Sequence, residues 1–192
     1  MKLILGSSSP FRQAVLKKLG QSFDVIEPNI DEKSIRFNDP KTLVTAIANA
    51  KMDAVLLKVT EPAFVITSDQ VVVSNGLIME KPVSKEEAKE HLIQHRSIPP
   101  GTATAVCVAN TSTGQRVCDV DFAKVYFSSI PDDLIDRLIA DGRILISSGS
   151  FIVNDPIIDA YVDHIEGSLD SIEGLPLELV QSLLKQVGCD AL

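Results

Sequence analysis

The run Ser7-Ser8-Ser9-Pro10-Phe11-Arg12 follows a short apolar segment, Lys2 to Gly6. The segment reads as a buried strand, and Pro10 as the opening of a helix with Ser9 as its N-cap. Hydroxyls beside the free N–H groups of a helix start favour an anion, and Arg12 adds a planar donor fork suited to phosphate. The same residues also make an ordinary serine turn with a solvated arginine. Ser68-Asp69-Gln70 stands between an apolar run and a hairpin. An acid just past a buried strand sits where α/β proteins place active sites, and there it can hold a metal or deprotonate water. A turn-capping aspartate has the same spacing. Asp31-Glu32 offers adjacent carboxylates to a hard divalent cation, or is a solvated loop. Lys51 breaks an apolar helical stretch, and Lys81-Pro82 follows the hairpin; each lysine alone is commonly a surface charge.

Other chemistries lack their signatures. His91 and His95 share a helix face four residues apart, but no acid makes them a zinc-protease motif, and with His164 they read as surface residues. Neither a nucleophile elbow nor a Gly-rich dinucleotide or Walker loop occurs. Cys107, Cys118 and Cys189 are odd in number and widely spaced, which points away from a disulfide framework and towards a reduced compartment. Cys107 and Cys118 read as small core residues.

The elements that must position these residues alternate early. The first helix carries Val15, Leu16 and Leu19 and closes at Gly20. Phe23 to Ile26 reads as a strand, Asp31 to Pro40 as a loop, and a second helix runs from Asp39 or Pro40 to about Lys58 with Leu43, Ile47, Ala50, Ala54 and Leu57 as its stripe. Ala63 to Thr67 is a strand. Asn75-Gly76 turns Val71–Val73 onto Leu77–Met79. Ser84 caps a third helix to about His95, with Glu87 completing a capping box. Strands at Ala103 to Ala109 and Val117 to Phe127 flank Thr113-Gly114. A helix from Pro131 to about Ala140, a strand-like stretch over Ile144 to Val153 broken at Gly149, and a helix over Leu177 to Val187 complete the chain. The pattern predicts an α/β protein: a mixed, twisted β-sheet flanked by helices, its hairpin-rich middle forming a second lobe across a cleft.

The 192 residues, 45% hydrophobic and 23% charged, suit one compact domain spanning 1–192. A net charge of −8 with no basic run speaks against DNA or RNA as a partner, while a small phosphorylated ligand remains compatible. No apolar stretch approaches a bilayer's span and no signal core opens the chain, so a soluble, cytoplasmic protein is expected.

Taken in order, these segments resemble the Maf family of nucleotide pyrophosphatases over nearly the whole length. The matching segments are Leu3-Ile4-Leu5-Gly6-Ser7-Ser8-Ser9-Pro10-Phe11-Arg12, Asp31-Glu32, Ala48 to Lys51, Thr67-Ser68-Asp69-Gln70-Val71-Val72, Lys81-Pro82 (with Glu80 in place of glycine) and Gly174-Leu175-Pro176-Leu177. The resemblance implies the fold of inosine-triphosphatase-like enzymes and cleavage of a nucleoside triphosphate to monophosphate and pyrophosphate, a house-cleaning role in the nucleotide pool. It implies Mg²⁺ or Mn²⁺ held by Glu32 and Asp69, Asp69 as the catalytic base, Ser8, Arg12, Lys51 and Lys81 gripping the triphosphate, and a homodimer. Phe11, Gln70 and Asn154 fall at specificity positions. Phe11 and Asp69-Gln70 resemble the branch acting on 7-methylguanosine triphosphate, where the pyrimidine-directed branch has Arg and Thr. Gly149-Ser150-Phe151 and Ile165-Glu166-Gly167 point the same way. Phe11 would stack on the base, and the Gln70 amide would offer it both donor and acceptor. The departures are Gln13 for a second basic residue, Thr104-Ala105 for Thr-Gly, and Asn154-Asp155-Pro156 where that branch has a glutamate. Asn154 cannot answer a cationic base; Asp155 is the neighbouring acid. Rival readings are a non-catalytic nucleotide sensor, a dTTP/UTP enzyme and an inosine-triphosphate type of pyrophosphatase.

Overall fold

The computed structural model describes residues 1–189. Its frame is a seven-stranded mixed sheet. Strand β1 (Lys2–Gly6) lies between β2 (Asp24–Val25) and β3 (Ala63–Ser74), parallel to both. Two helices make those parallel connections: α1 (Pro10–Lys17), and α2 (Pro40–Leu56) capped by Asp39. Beyond β3 the sheet is antiparallel, through β5 (Gly101–Asn110) and β6 (Arg116–Phe127) to β7 (Val162–Glu166). The Asn75-Gly76 turn folds β4 (Leu77–Met79) onto the far end of β3. The remaining helices are α3 (Lys85–Gln94), α4 (Asp132–Asp141), α5 (Leu169–Ile172) and α6 (Leu177–Gln186).

Two apolar layers cover the first half of the sheet. Leu5, Leu16, Ile66, Val106 and Leu184 pack on the face that carries α1 and α6. Ile4, Val44, Met52, Val65 and Cys107 pack beneath α2 on the other face. Buried from both sides, β5 is buried along its whole length, which explains its near-continuous run of small and apolar residues. A second pair of clusters, centred on Leu92, Leu134 and Ile144 and on Val72, Val125 and Phe151, forms the other lobe around α3, α4 and the sheet's far end. No helix among the described residues is long and apolar enough to cross a membrane.

Several expectations need correction. Ala63–Ser74 is one continuous strand of 12 residues, not two pieces. Ile144 to Val153 is not a strand: two 3₁₀ turns, Arg143–Ile146 and Ser148–Ser150, take its place, because Gly149 and Ser150 both adopt left-handed backbone. The sixth strand's outer partner is instead Val162–Glu166, which the apolar pattern did not signal. The buried stripe of α2 is Leu43, Ile47, Lys51 and Val55 beside Val44, Ala48 and Met52, and the expected stripe residue Leu57 is 89% exposed. Cys107 and Cys118 are joined by a disulfide. Their spacing of 11 residues folds back through the Thr113-Gly114 hairpin and makes them directly opposed partners on β5 and β6, so distance along the chain misjudged distance in space.

Candidate active site

The site begins with an interruption in the sheet. Along one edge of β3, β1 is paired only as far as Gly6 opposite Thr67, and β4 joins only from Val72. Ser68, Asp69, Gln70 and Val71 lie between, with β5 closing their other edge. The chain leaving β1 turns away at the same level, so Ser7, Ser8 and Ser9 and the start of α1 face this opening. An open edge where neighbouring strands part company is where α/β sheets admit ligands.

Asp69 is almost fully buried there. Lys51 Nζ lies 2.7 Å from Asp69 Oδ1 and 2.9 Å from Glu32 Oε1, so one buried ammonium is flanked by both carboxylates. The helix period brings it there: Lys51 occupies the α2 stripe that faces β3, and Thr67 Oγ1 donates to the Ala48 carbonyl at 2.8 Å to fix strand against helix. Burial pushes the Asp69 carboxyl above its ordinary pKa. Lys51, through charge and hydrogen bond, and Arg12 pull it back down, while Glu32 adds to the rise. The cationic neighbours thus oppose a desolvation that favours the neutral acid.

Arg12 is oriented by the C-terminal part of the chain. Its Nε donates to the Gly174 carbonyl at 2.9 Å, and Ser68 Oγ donates to the same oxygen at 2.9 Å. Burial lowers the guanidinium's pKa, and the charges of Asp69 and Glu32 oppose that. Gly174 has φ +94, and a Cβ there would meet Arg12 Nε at 3.2 Å. Backbone geometry and close approach together demand glycine at this point of the closing Gly-Leu-Pro. Ser9 Oγ accepts from the Arg12 backbone N–H at 3.4 Å as the expected cap, and Ser7 Oγ accepts from the Ser9 N–H at 3.2 Å. Ser8 is left exposed beside them. Lys81 is also exposed; the antiparallel pairing of Met79 with Val72 runs the chain after β4 back towards the Asp69 end of β3.

Next to these charges lie two adjoining clefts of about 250 and about 210 Å³ that share Gln70, Phe151, Val153 and Ile172. Phe11, 66% exposed, Arg12 and Asn154 line the larger one. Gln70 Nε2 donates to Thr104 Oγ1 at 2.8 Å and to the Ser171 carbonyl at 2.7 Å. A carbonyl can only accept, so the amide's N–H groups are committed inward and only Oε1 is offered outward. The expected donor role of Gln70 towards a base is therefore absent, and the acceptor role is retained. Asn154, in left-handed backbone, donates through Nδ2 to Glu173 Oε1. Asp155 is turned away: it is buried, pairs with Arg143, and accepts the Ile157 N–H at 2.8 Å.

Of the three histidines read as surface groups, His164 is exposed, while His91 and His95 are not. His95 is buried and its Nε2 donates to the Gly149 carbonyl at 2.9 Å, while the half-buried His91 sets Nδ1 3.1 Å from Ser150 Oγ. Together they hold the turn that delivers Phe151 and Asn154 to the cleft. Burial lowers the His95 pKa to about 4, against a smaller upward pull from the Gly149 carbonyl; His91 lowers it further. Gly149 itself would place a Cβ 2.9 Å from Val72 Cγ1, so the turn presses directly on β3. An i, i+4 histidine pair read as solvated, when the apolar positions beside it, Ala88 and Leu92, already marked the buried side of the helix.

No group of three or more His, Cys, Asp or Glu side chains converges as a metal site among the described residues. Glu32 and Asp69 are the oxygen donors that meet at the Lys51 ammonium, and Mg²⁺ commonly takes only one or two carboxylates with waters and substrate phosphates filling the rest. Two carboxylates of this kind are an oxygen donor set, in which the group they hold in this structure is the Lys51 ammonium.

Related proteins match along nearly the whole chain. The chain is 38% identical to a "7-methyl-GTP pyrophosphatase" of Dictyostelium discoideum over 193 residues, 97% of each protein. It is 32% identical to a protein of the same description from Vibrio vulnificus, covering all of this chain and 97% of the relative. It is also 32% identical to a "dTTP/UTP pyrophosphatase" of Clostridium perfringens over 96% of each. A family model described as "Maf-like protein" matches residues 2–187, and the chain belongs to the Maf family.

Proposed function

We propose that this protein hydrolyses the α–β anhydride bond of nucleoside triphosphates, releasing a monophosphate and pyrophosphate, and that 7-methylguanosine triphosphate is a better substrate than the pyrimidine triphosphates. The observation that carries this reading is the buried Asp69–Lys51–Glu32 cluster at the open edge of β3, beside Arg12 and the serine turn. In the proposed step the water oxygen bonds to the α-phosphorus as the bond to the bridging oxygen breaks, and pyrophosphate leaves. Asp69 Oδ1 is held by Lys51, which leaves Oδ2 to take the water's proton. Arg12, Lys51, Lys81 and the Ser8 hydroxyl offset charge on the phosphates, and this counts most as it grows on the leaving group. A divalent cation, Mg²⁺ or Mn²⁺, held by Glu32 and Asp69 would neutralise phosphate charge and acidify water. Phe11 supplies an aromatic face for the base and Gln70 Oε1 an acceptor.

Two of the relatives described here carry the 7-methyl-GTP description, at 38% and 32% identity, which supports the base preference; the 32% relative described as a dTTP/UTP enzyme makes pyrimidines the comparison to beat. We further read the protein as a cytoplasmic homodimer without a nucleic-acid or membrane partner. A panel of methylated, canonical and inosine triphosphates, assayed with and without Mg²⁺, tests the proposal. The expected products are monophosphate and pyrophosphate, with 7-methylguanosine triphosphate leading by kcat/KM. Diphosphate and orthophosphate as products, or binding without turnover, would overturn it.

A further inference from the structure

Among the described residues, Glu173 is the one acidic side chain lining the cleft that contains Phe11, Phe151 and Asn154. Its carboxylate is 14% exposed and is gripped at both ends. Asn154 Nδ2 donates to Oε1, and Lys18 Nζ reaches Oε2 at 3.0 Å from outside the cleft. Lys18 also holds Asp170 at 2.5 Å and is itself half exposed. Two acids share Lys18, so that one lysine does not neutralise both of them. Asp155, the acid nearest in sequence to Asn154, is spent on Arg143 and does not line the cleft. Thus the cleft combines an aromatic face at its mouth, an acceptor in Gln70 Oε1, one carboxylate steadied by an amide, and the Arg12 guanidinium, which is turned to the Gly174 carbonyl.

We infer that Glu173 selects for charge in the base subsite, its carboxylate recognising a base that is cationic and carries N–H donors along one edge, as N7-alkylated guanine does. This rests on the pyrophosphatase reading above and deepens it. A cation stacked on an aromatic ring gains from the ring's quadrupole, and a carboxylate within the same cleft adds an attraction that a neutral base lacks. Asn154 contributes by orientation: it cannot meet a positive charge, but it aims the residue that can. Lys18 opposes the selection, because it neutralises the same carboxylate from the solvent side.

The test compares kcat/KM for 7-methylguanosine triphosphate and for GTP, two substrates that differ by one methyl group and one charge. It uses the full-length protein as wild type, Glu173→Gln, Glu173→Asp and Lys18→Ala. The expected ratio falls about tenfold in Glu173→Gln, mainly through KM, since removing one partly buried charge pair is worth about that much. Glu173→Asp keeps the charge and should retain most of the preference, which also provides a second variant if Glu173→Gln does not fold. Lys18→Ala breaks the same ion pair from its other end and should leave the ratio unchanged or higher. A ratio preserved in Glu173→Gln, or one lowered alike in Glu173→Gln and Lys18→Ala, overturns the assignment. A wild-type protein that prefers pyrimidine triphosphates fails the underlying reading instead, and the assignment with it; wild-type turnover reads that outcome before any variant is made.

Discussion

His95 gives the cleft a weakness to acid that can be measured. In the folded protein its imidazole is 3% exposed, donates to the Gly149 carbonyl and has a pKa of about 4, against 6.5 when solvated. Between these values the unfolded chain binds a proton that the folded one refuses. Stability from this group is therefore complete above about pH 7 and is lost as pH falls through the window from 6.5 to about 4. Each pH unit of separation corresponds to about 1.4 kcal/mol, which gives a loss of about 2 kcal/mol by pH 5 and about 3 kcal/mol by pH 4. Carboxylates titrate over part of the same range, so wild type must be compared with His95→Gln, whose amide can still donate to the Gly149 carbonyl. Urea unfolding at pH 7.5, 6, 5 and 4 should show the wild type losing about 3 kcal/mol relative to the variant across the series. A stability difference that stays flat with pH would refute the claim that a neutral, desolvated imidazole holds the turn.

Asp69→Asn removes the basic oxygen but keeps the shape, and kcat should drop by about 10²- to 10⁴-fold; near-normal turnover in a steady-state pyrophosphate assay would assign the base elsewhere. Gly174→Ala forces a Cβ into left-handed backbone and against Arg12 Nε, and is expected to cost about 1–3 kcal/mol in thermal unfolding and to raise KM; a variant as stable and active as wild type would show that the carbonyl can move freely. Phe11→Ala should lower kcat/KM for 7-methylguanosine triphosphate by about 2- to 30-fold, the span of a cation–π contact, while slowing a poor substrate less; equal losses on all substrates would make Phe11 structural.

Local signals predicted most of the frame. The strand-to-helix step at Gly6 to Pro10, the Asn75-Gly76 hairpin and the capped helices are all readable, because caps, turns and periodicity act over a few residues. Asp69 stood out as an acid just past an apolar run, although the strand in fact continues through it, and Lys51 as a cation that interrupts an apolar helical stretch. Which face of α2 is buried was not readable: adjacent apolar residues at Leu43 and Val44, Ile47 and Ala48, leave the stripe free to rotate until β3 is in place. The same holds for Ile144 to Val153, whose apolar run suggests a strand until two left-handed residues and a buried histidine bend it into the second lobe. Glu173 was invisible beside Gly174 because its role depends on Asn154 and Lys18, which are close only in space.

The shared carbonyl of Gly174 also sets the order in which the site can be assembled. It binds Arg12 across 162 residues and Ser68 across 106, so the arginine proposed to grip phosphate and the strand that carries Asp69 wait for the segment around Gly174 before they are fixed. During synthesis the sheet's first half can pair as it emerges, but the proposed site closes only when the segment around Gly174 docks, since distant contacts demand the largest loss of chain freedom. An incomplete chain would carry every acid, lysine and hydroxyl named above except the carbonyl that aligns them, and would have a loose, solvated arginine. Alignment of Arg12 with Ser68 is thus a late, long-range event in the making of the fold.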